Sequence, residues 1–246
     1  MSGSDAEPVR VPAVTVVMPA FNEAEILEAT VFDVVEGLRR RAVVFELIVC
    51  ENGSTDGTLA LAGRLAEKYP ELRVLHRKDA DYGEALHAGL LAARGRVVVN
   101  FDVDHYDLEF LDLAVARIEE ASGLSIVVGS KRTAGASDDR APLRKLATAA
   151  FTALLRVLFG LGVSDTHGMK AMDRVRVVPV AERCRFGKDL FDTELILRGE
   201  RAGLRTGEIP VTVIERRPAR TPMLRRVPRT LLGLVKLRVA LWRDDS

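Results

Sequence analysis

The chain has 246 residues, enough for one large α/β domain or two small ones around a substantial buried core. A formal net charge of +1 excludes a global polyanion partner, and 5% aromatic content argues against a base-stacking surface, so nucleic acid is not an expected partner. No segment offers the roughly 18 uncharged apolar residues of a membrane span.

Met1 to Pro12 is polar and acidic without an apolar core, so residues 1–13 are expected to be a disordered leader rather than a secretory signal. Val14 to Met18 reads as a strand stopped by Pro19, and helical periodicity then runs from Ala24 to about Arg40. Phe45 to Cys50 is a second strand. It ends in the Gly-broken turn Glu51-Asn52-Gly53-Ser54-Thr55-Asp56-Gly57, whose Ser54 or Thr55 is expected to cap a helix starting near Thr58. Leu72 to His76 is a third strand, and Tyr82 to Arg94 a helix whose Gly83 and Gly89 suit close backbone approach. A fourth strand begins at Val97, a helix fills Leu108 to Glu120, and Leu124 to Val128 is a fifth strand. This alternation predicts an α/β fold, a doubly wound and largely parallel sheet with helices on both faces.

Beyond Gly129 the rhythm changes. Lys131 to Arg140 is a polar loop placed to act as a flap, and Pro142 to Leu161 an apolar helix that is either core or interfacial. Asp165 to Lys170 is a loop entering a short strand. A helix follows over Asp189 to Ala202, and Thr206 to Ile214 reads as one strand or two, interrupted at Pro210. From Arg216 to Arg243 there are nine basic residues and no acidic one. Arg225, Arg229, Lys236 and Arg243 recur at helical spacing beside Val227, Leu231, Leu234, Val235, Leu241 and Trp242. Such a basic amphipathic helix fits an anionic membrane surface, or a helix packed on the domain with a solvated basic face, or a nucleic-acid patch. The division expected is a domain over 14–220 and a C-terminal helix over 221–246. Cys50 and Cys184 match no metal or redox spacing and read as reduced, mostly buried thiols of a cytosolic protein.

The chemistry centres on Val97-Val98-Val99-Asn100-Phe101-Asp102-Val103-Asp104. An apolar run buried on both faces ends here in two carboxylates at the carboxyl edge of the sheet, where open α/β sheets bind ligands. Carboxylates at i and i+2 suit a hard cation, Mg²⁺ or Mn²⁺, which usually brings a phosphate with it.

Four ordered stretches carry a resemblance: Val17 to Glu23, Val49 to Thr58, Phe101 to Asp104, and Phe191-Asp192-Thr193-Glu194-Leu195. Together they resemble family-2 glycosyltransferases of the GT-A fold, most closely the dolichol- and polyprenyl-phosphate mannose synthase group, over roughly residues 14–240. The resemblance implies that Pro19, Phe21 and Glu23 border the base and ribose, with Glu51 and Asn52 at the base edge. It puts Asp102 and Asp104 on a divalent ion that holds the diphosphate. Lys131 and Arg144 would neutralise phosphates, and Glu194 is the acid near the sugar.

The activity implied is inverting transfer of a hexose from a nucleotide-diphosphate sugar, GDP-mannose-like or UDP-glucose-like, to a polyprenyl phosphate. The protein is then expected to be cytoplasmic and peripheral at the inner face of the plasma membrane. A phosphate acceptor is already anionic and needs no strong base, whereas a hydroxyl acceptor needs a carboxylate such as Asp192 or Glu194 to take its proton. Two rivals stay open at this point: a related enzyme with a soluble hydroxyl acceptor, and a catalytically silent sugar-nucleotide-binding scaffold.

Overall fold

The computed structural model describes residues 11–120, 123–130, 137–138, 153–160, 162–163, 166, 168–188, 190–213 and 223–244. Strands β1 (Val14–Ala20), β2 (Phe45–Asn52), β3 (Leu72–Arg77) and β4 (Val97–Asn100) alternate with helices α1 (Leu27–Arg40), α2 (Thr58–Lys68) and α3 (Tyr82–Ala92). Helix α4 (Leu108–Glu119) leads to β5 (Leu124–Ser130), followed by the short β6 (Ser137–Asp138) and helix α5 over 153–159. The chain then forms β7 (Lys170–Asp173), α6 (Arg174–Ala181), α7 (Phe191–Arg201), β8 (Arg205–Pro210), β9 (Thr212–Val213) and α8 (Met223–Asp244).

The main sheet has the order β3-β2-β1-β4-β7-β5-β8, and only β7 runs against its neighbours. Every residue of β1, β2 and β4 is buried, as expected of strands covered on both faces. Their side chains divide by alternation. Val16, Met18, Leu47, Val49 and Val99 join one core with α1, α2 and α4. Val17, Ile48, Cys50 and Val98 join a second core with α3, α6, α7 and α8. The doubly wound prediction holds. Gly89 lies so close to β1 and β2 that a Cβ there would sit 2.3 Å from Val17 Cγ1 and 2.7 Å from Cys50 Sγ. Both cysteines are free and buried.

Two local expectations are corrected, and one helix appears where none was expected. Helix α1 starts at Leu27 rather than Ala24, because the N–H groups of Asn22, Glu23 and Ala24 donate to Ser54, Thr58 and Asp56 instead of pointing along a helix. Neither Ser54 nor Thr55 caps α2: the capping position is Gly57 at φ 88°, and Asp56 accepts from Thr58 N. Helix α6 falls where Arg174-Val175-Arg176-Val177 alternates with the period of a strand; Asp173 initiates it by accepting from Arg176 N. Of the expected flap over Lys131 to Arg140 all but 137–138 lies outside the described residues, and those two, as β6, pair in parallel with β9.

The C-terminal helix is seated on the domain. Leu234, Leu237 and Leu241 are buried in the second core, and a Cβ on Gly233 would lie 2.2 Å from Leu190 Cδ1. A second apolar row is left outside: Leu232, Val235, Val239 and Trp242 are exposed, alongside exposed Lys236, Arg238 and Arg243. On α5, Leu155 is buried while Val157 and Leu158 are exposed. No helix among the described residues is long and apolar enough to cross a membrane.

At the amino edge of the sheet, buried Glu46 accepts from Thr15 Oγ1 (2.7 Å), Arg94 N (2.6 Å) and Arg73 Nη1 (2.8 Å). Burial alone would raise its pKa, but these bonds outweigh burial and hold it below the ordinary carboxylate value. Its contribution to stability is therefore complete above the unfolded-state pKa and lost as pH falls through the lower folded-state value. Glu46→Gln is expected to cost about 2 kcal/mol at neutral pH. The gap from wild type should shrink on acidification, read by urea unfolding at a series of pH values.

Candidate active site

Strands β1, β2, β3 and β4 are parallel, so their carboxyl ends meet on one edge. The chain winds outward from β1 through β2 to β3, then crosses to β4 on the other side. The crevice between β1 and β4 is thus the topological switch point. Asn52, Ala20 and Asn100 end neighbouring strands there, and Pro19, Phe21, Asp102 and Asp104 lie at this edge.

One wall consists of two loops tied together. Asn22, at φ 56°, donates its N–H to Ser54 Oγ (2.9 Å) and accepts from Thr55 N at its side-chain oxygen (2.8 Å). Glu23 N donates to Thr58 Oγ1 (2.8 Å). Pro19 is buried in β1, while Phe21 stands 37% exposed, available to a flat ring such as a base.

Glu51 and Asn52 close β2, and both are buried. Glu51 is wholly buried; its Oε1 accepts from Ser54 N (2.6 Å) and its Oε2 meets His76 Nδ1 (2.5 Å). Burial pushes against the charged form, yet the bonds from Ser54 and His76 prevail and keep the carboxyl below its usual pKa. Glu51 thus fastens the turn after β2 through one oxygen and the end of β3 through the other. Asn52 is also buried, and among the described residues its Oδ1 has no hydrogen-bond partner, an acceptor left open at this edge of the sheet.

The other wall carries the acids. Asp102 and His105 exchange backbone bonds of 3.1 Å each, closing a tight loop over Val103 and Asp104. Val103 anchors that loop in the first core, and its carbonyl accepts from Thr30 Oγ1 (2.8 Å). With Val103 turned inward, Asp102 and Asp104 flank it and feel each other's charge. Burial first, and the neighbouring Asp104 second, push the Asp102 carboxyl up to about 6. A bond from Tyr82 Oη to Asp102 Oδ1 (3.0 Å) and the charge of Lys170 act in the opposite direction.

These two carboxylates fit a hard divalent cation. Among the described residues no cluster of three or more His, Cys, Asp or Glu side chains gathers into a metal-holding group. A cation of this class is satisfied by one or two carboxylates when phosphate oxygens and water complete its shell. Crowded like charges are also what a cation relieves.

Behind the acids, fully buried Lys170 on β7 pairs with Asp192 at 2.9 Å, a contact without hydrogen-bond alignment. The same ammonium donates to Gly168 O (2.6 Å) and Thr166 O (3.4 Å), holding that loop against the sheet. Glu194 is fully buried. Its Oε2 accepts from Arg185 N (2.9 Å) and Phe186 N (2.8 Å), and its Oε1 from Arg198 Nε (2.8 Å). One oxygen thus braces the 185–186 loop, and the other pairs with Arg198 one turn along α7. Lys131 and Arg144 lie outside the described residues. Tyr82, Lys170 and His76 were not singled out beforehand; Tyr82 and His76 have no motif of their own, and Lys170 only ends one.

A carboxylate that braces a loop shows itself in stability. Glu194→Gln is expected to lower the stability of the fold by about 3 kcal/mol, the order found when one partner of a buried pair is removed. A wild-type thermal melt for this variant would refute the bracing role.

The chain is similar to known sugar transferases. Over 203 residues the chain is 34% identical to glycosyltransferase AglD of Haloferax volcanii, covering 80% of this chain and 32% of that protein. It thus spans about a third of that relative's length. It is 30% identical over 203 residues to the dolichyl-phosphate hexose transferase of the same organism, covering 82% of each. Among solved structures, glucosyl-3-phosphoglycerate synthase from Mycobacterium tuberculosis, crystallised with Mn²⁺, UDP-glucose and glycerol 3-phosphate, superposes with a TM-score of 0.65. That likeness has 25% identity and covers 92% of this chain and 80% of the other. Residues 15–178 match glycosyl transferase family 2, and the chain belongs to that family, built on the GT-A fold.

Proposed function

We propose that the protein is a metal-dependent inverting hexosyltransferase that moves a sugar from a nucleoside-diphosphate donor to a polyprenyl phosphate at a membrane surface. The observation that carries this reading is the meeting of Asp102 and Asp104 with the laced β1 and β2 loops at one switch-point crevice. Phe21 and Asn52 line the base side, and Pro19 and Glu23 fix the loop beside the ribose. A divalent cation, Mg²⁺ or Mn²⁺, held by Asp102 and Asp104 would neutralise charge on the leaving diphosphate. An oxygen of the acceptor phosphate attacks the anomeric carbon from the face opposite the leaving group. The bond to the diphosphate oxygen breaks with its electron pair, and the nucleoside diphosphate departs. Lys131 and Arg144 are assigned to the phosphates, where cationic side chains make strong hydrogen bonds.

The choice of a phosphate acceptor is supported by what the buried acids are already doing. Asp192 is paired with Lys170, and Glu194 is consumed by the 185–186 loop and Arg198, so neither is placed to take a proton from a hydroxyl. The dolichyl-phosphate hexose transferase of Haloferax volcanii is named for an acceptor of this class. A second reading, a soluble phosphorylated acceptor, draws on the glycerol 3-phosphate in the related synthase structure. The membrane surface is supported by the outer row of α8, where Leu232, Val235, Val239 and Trp242 lie among Lys236, Arg238 and Arg243. We place the protein on the cytoplasmic side, peripheral to the plasma membrane.

Turnover of UDP-glucose and GDP-mannose with a short-chain polyprenyl phosphate and Mn²⁺ tests the reaction. Asp104→Ala should reduce it by roughly a hundredfold or more, the scale of several kcal/mol of lost charge stabilisation. Equal background in wild type and variant would sink the enzymatic reading, and transfer to glycerol 3-phosphate alone would favour the soluble acceptor. For the surface, flotation with vesicles containing anionic lipid should retain wild type. The double substitution Val235→Asp and Trp242→Asp should weaken binding about tenfold or more. Undiminished flotation of that variant would rule out the outer row of α8 as the docking face.

A further inference from the structure

Tyr82 is not part of either acidic motif, yet its hydroxyl donates to Asp102 Oδ1 at 3.0 Å, with Asn100 Oδ1 farther off at 3.5 Å. The backbone of Asp102 is fixed by its exchange with His105, but that exchange leaves the carboxylate free to turn about its side-chain bonds. The phenol supplies the missing restraint. It is itself held from both sides in sequence. Asp81, just before it, caps α3 by accepting from Glu84 N (3.0 Å), and the same oxygen accepts from Lys188 N (2.5 Å). Gly83, just after it, abuts the 187–188 backbone so closely that a Cβ would lie 2.7 Å from Gly187 C and from Lys188 N. The neighbouring stretch at Arg185 and Phe186 is in turn held by Glu194. Those contacts fix the backbone from which the ring reaches Asp102, and the ring itself is packed against the second core.

We propose that Tyr82 is a positioning residue for the cation: its hydroxyl fixes the plane of the Asp102 carboxylate and leaves the second oxygen to the metal. This rests on reading Asp102 and Asp104 as the cation site. An outer partner that orients a ligating carboxylate is commonly worth ten- to a hundredfold in metal affinity. Mg²⁺ demands near-ideal octahedral geometry, so a carboxylate free to rotate penalises Mg²⁺ most.

The test is direct cation binding by the full chain, with free Mn²⁺ followed by electron paramagnetic resonance and Mg²⁺ by its displacement of bound Mn²⁺. Tyr82→Phe removes one oxygen and keeps the ring. It is expected to weaken Mg²⁺ about tenfold or more, and Mn²⁺ by a smaller factor. Wild-type affinities for both ions in a folded Tyr82→Phe chain would overturn the proposal, as would a lowered melting temperature with unchanged affinities. Asp104→Ala is run alongside: if it also binds Mn²⁺ like wild type, the cation site itself is misplaced, and if it alone loses binding, only the role of Tyr82 fails. Should Tyr82→Phe not fold, the tyrosine difference spectrum of wild type on adding Mg²⁺ carries the test. A perturbation that survives Tyr69→Phe and Tyr106→Phe is expected, and an unchanged spectrum would refute the assignment.

Discussion

Negative charges held against each other at a partly buried sheet edge are unstable on their own, and much of the site consists of what restrains them. Asp102 and Asp104 are forced together because Val103 is sunk in the core between them and the Asp102–His105 exchange closes the loop. Asp192 adds a third negative charge to the field at Asp102, and Lys170 supplies the compensating positive one. Nothing in this arrangement stabilises the fold much by itself. It keeps a concentrated negative field that an incoming cation would relieve, and this is how binding sites commonly hold strain for use.

The donor side is built by a different device. The β1 and β2 loops have few apolar groups to bury, so they are fixed by side-chain oxygens accepting from backbone N–H groups: Ser54, Asp56, Thr58 and Asn22 all serve in this way. Such bonds spend hydroxyls and amides that would otherwise cap helices, which is why α1 starts late and α2 starts at a glycine. The rigidity of this wall lets the 37% exposed Phe21 present a ring in a fixed place.

Much of the fold was legible because burial on two faces writes itself into continuous apolar runs, as in Val97 to Val99 and Leu47 to Cys50. Ends of strands were legible for the same reason, and they located Asp102, Asp104 and Asn52 on one edge. What sequence could not disclose was which polar side chains had prior commitments. Glu51 and Glu194 stand where acids of the family motifs stand, but His76 and Ser54 claim one, and Arg198 with two backbone N–H groups claims the other. His76 is distant in sequence, and Ser54, Arg185 and Phe186 act through the backbone, so no local pattern announces them. Arg198 alone, four residues on from Glu194 in α7, stands at a spacing the sequence offers. Helix α6 was hidden for a plainer reason: alternating arginine and valine imitates a strand until Asp173 caps it. Tyr82 opens a helix and gives no sign of its reach across to β4.

The seat of α8 has a consequence for how the protein can be dissected. Because Gly233 nests on Leu190, immediately ahead of the helix that bears Asp192, this helix is at once an outer skin and an inner buttress. Deleting it would strip Leu234, Leu237 and Leu241 from the second core and lay bare the root of α7. Truncation therefore confuses lost adhesion with a collapsed catalytic scaffold, whereas changes confined to the outward row leave the buttress standing.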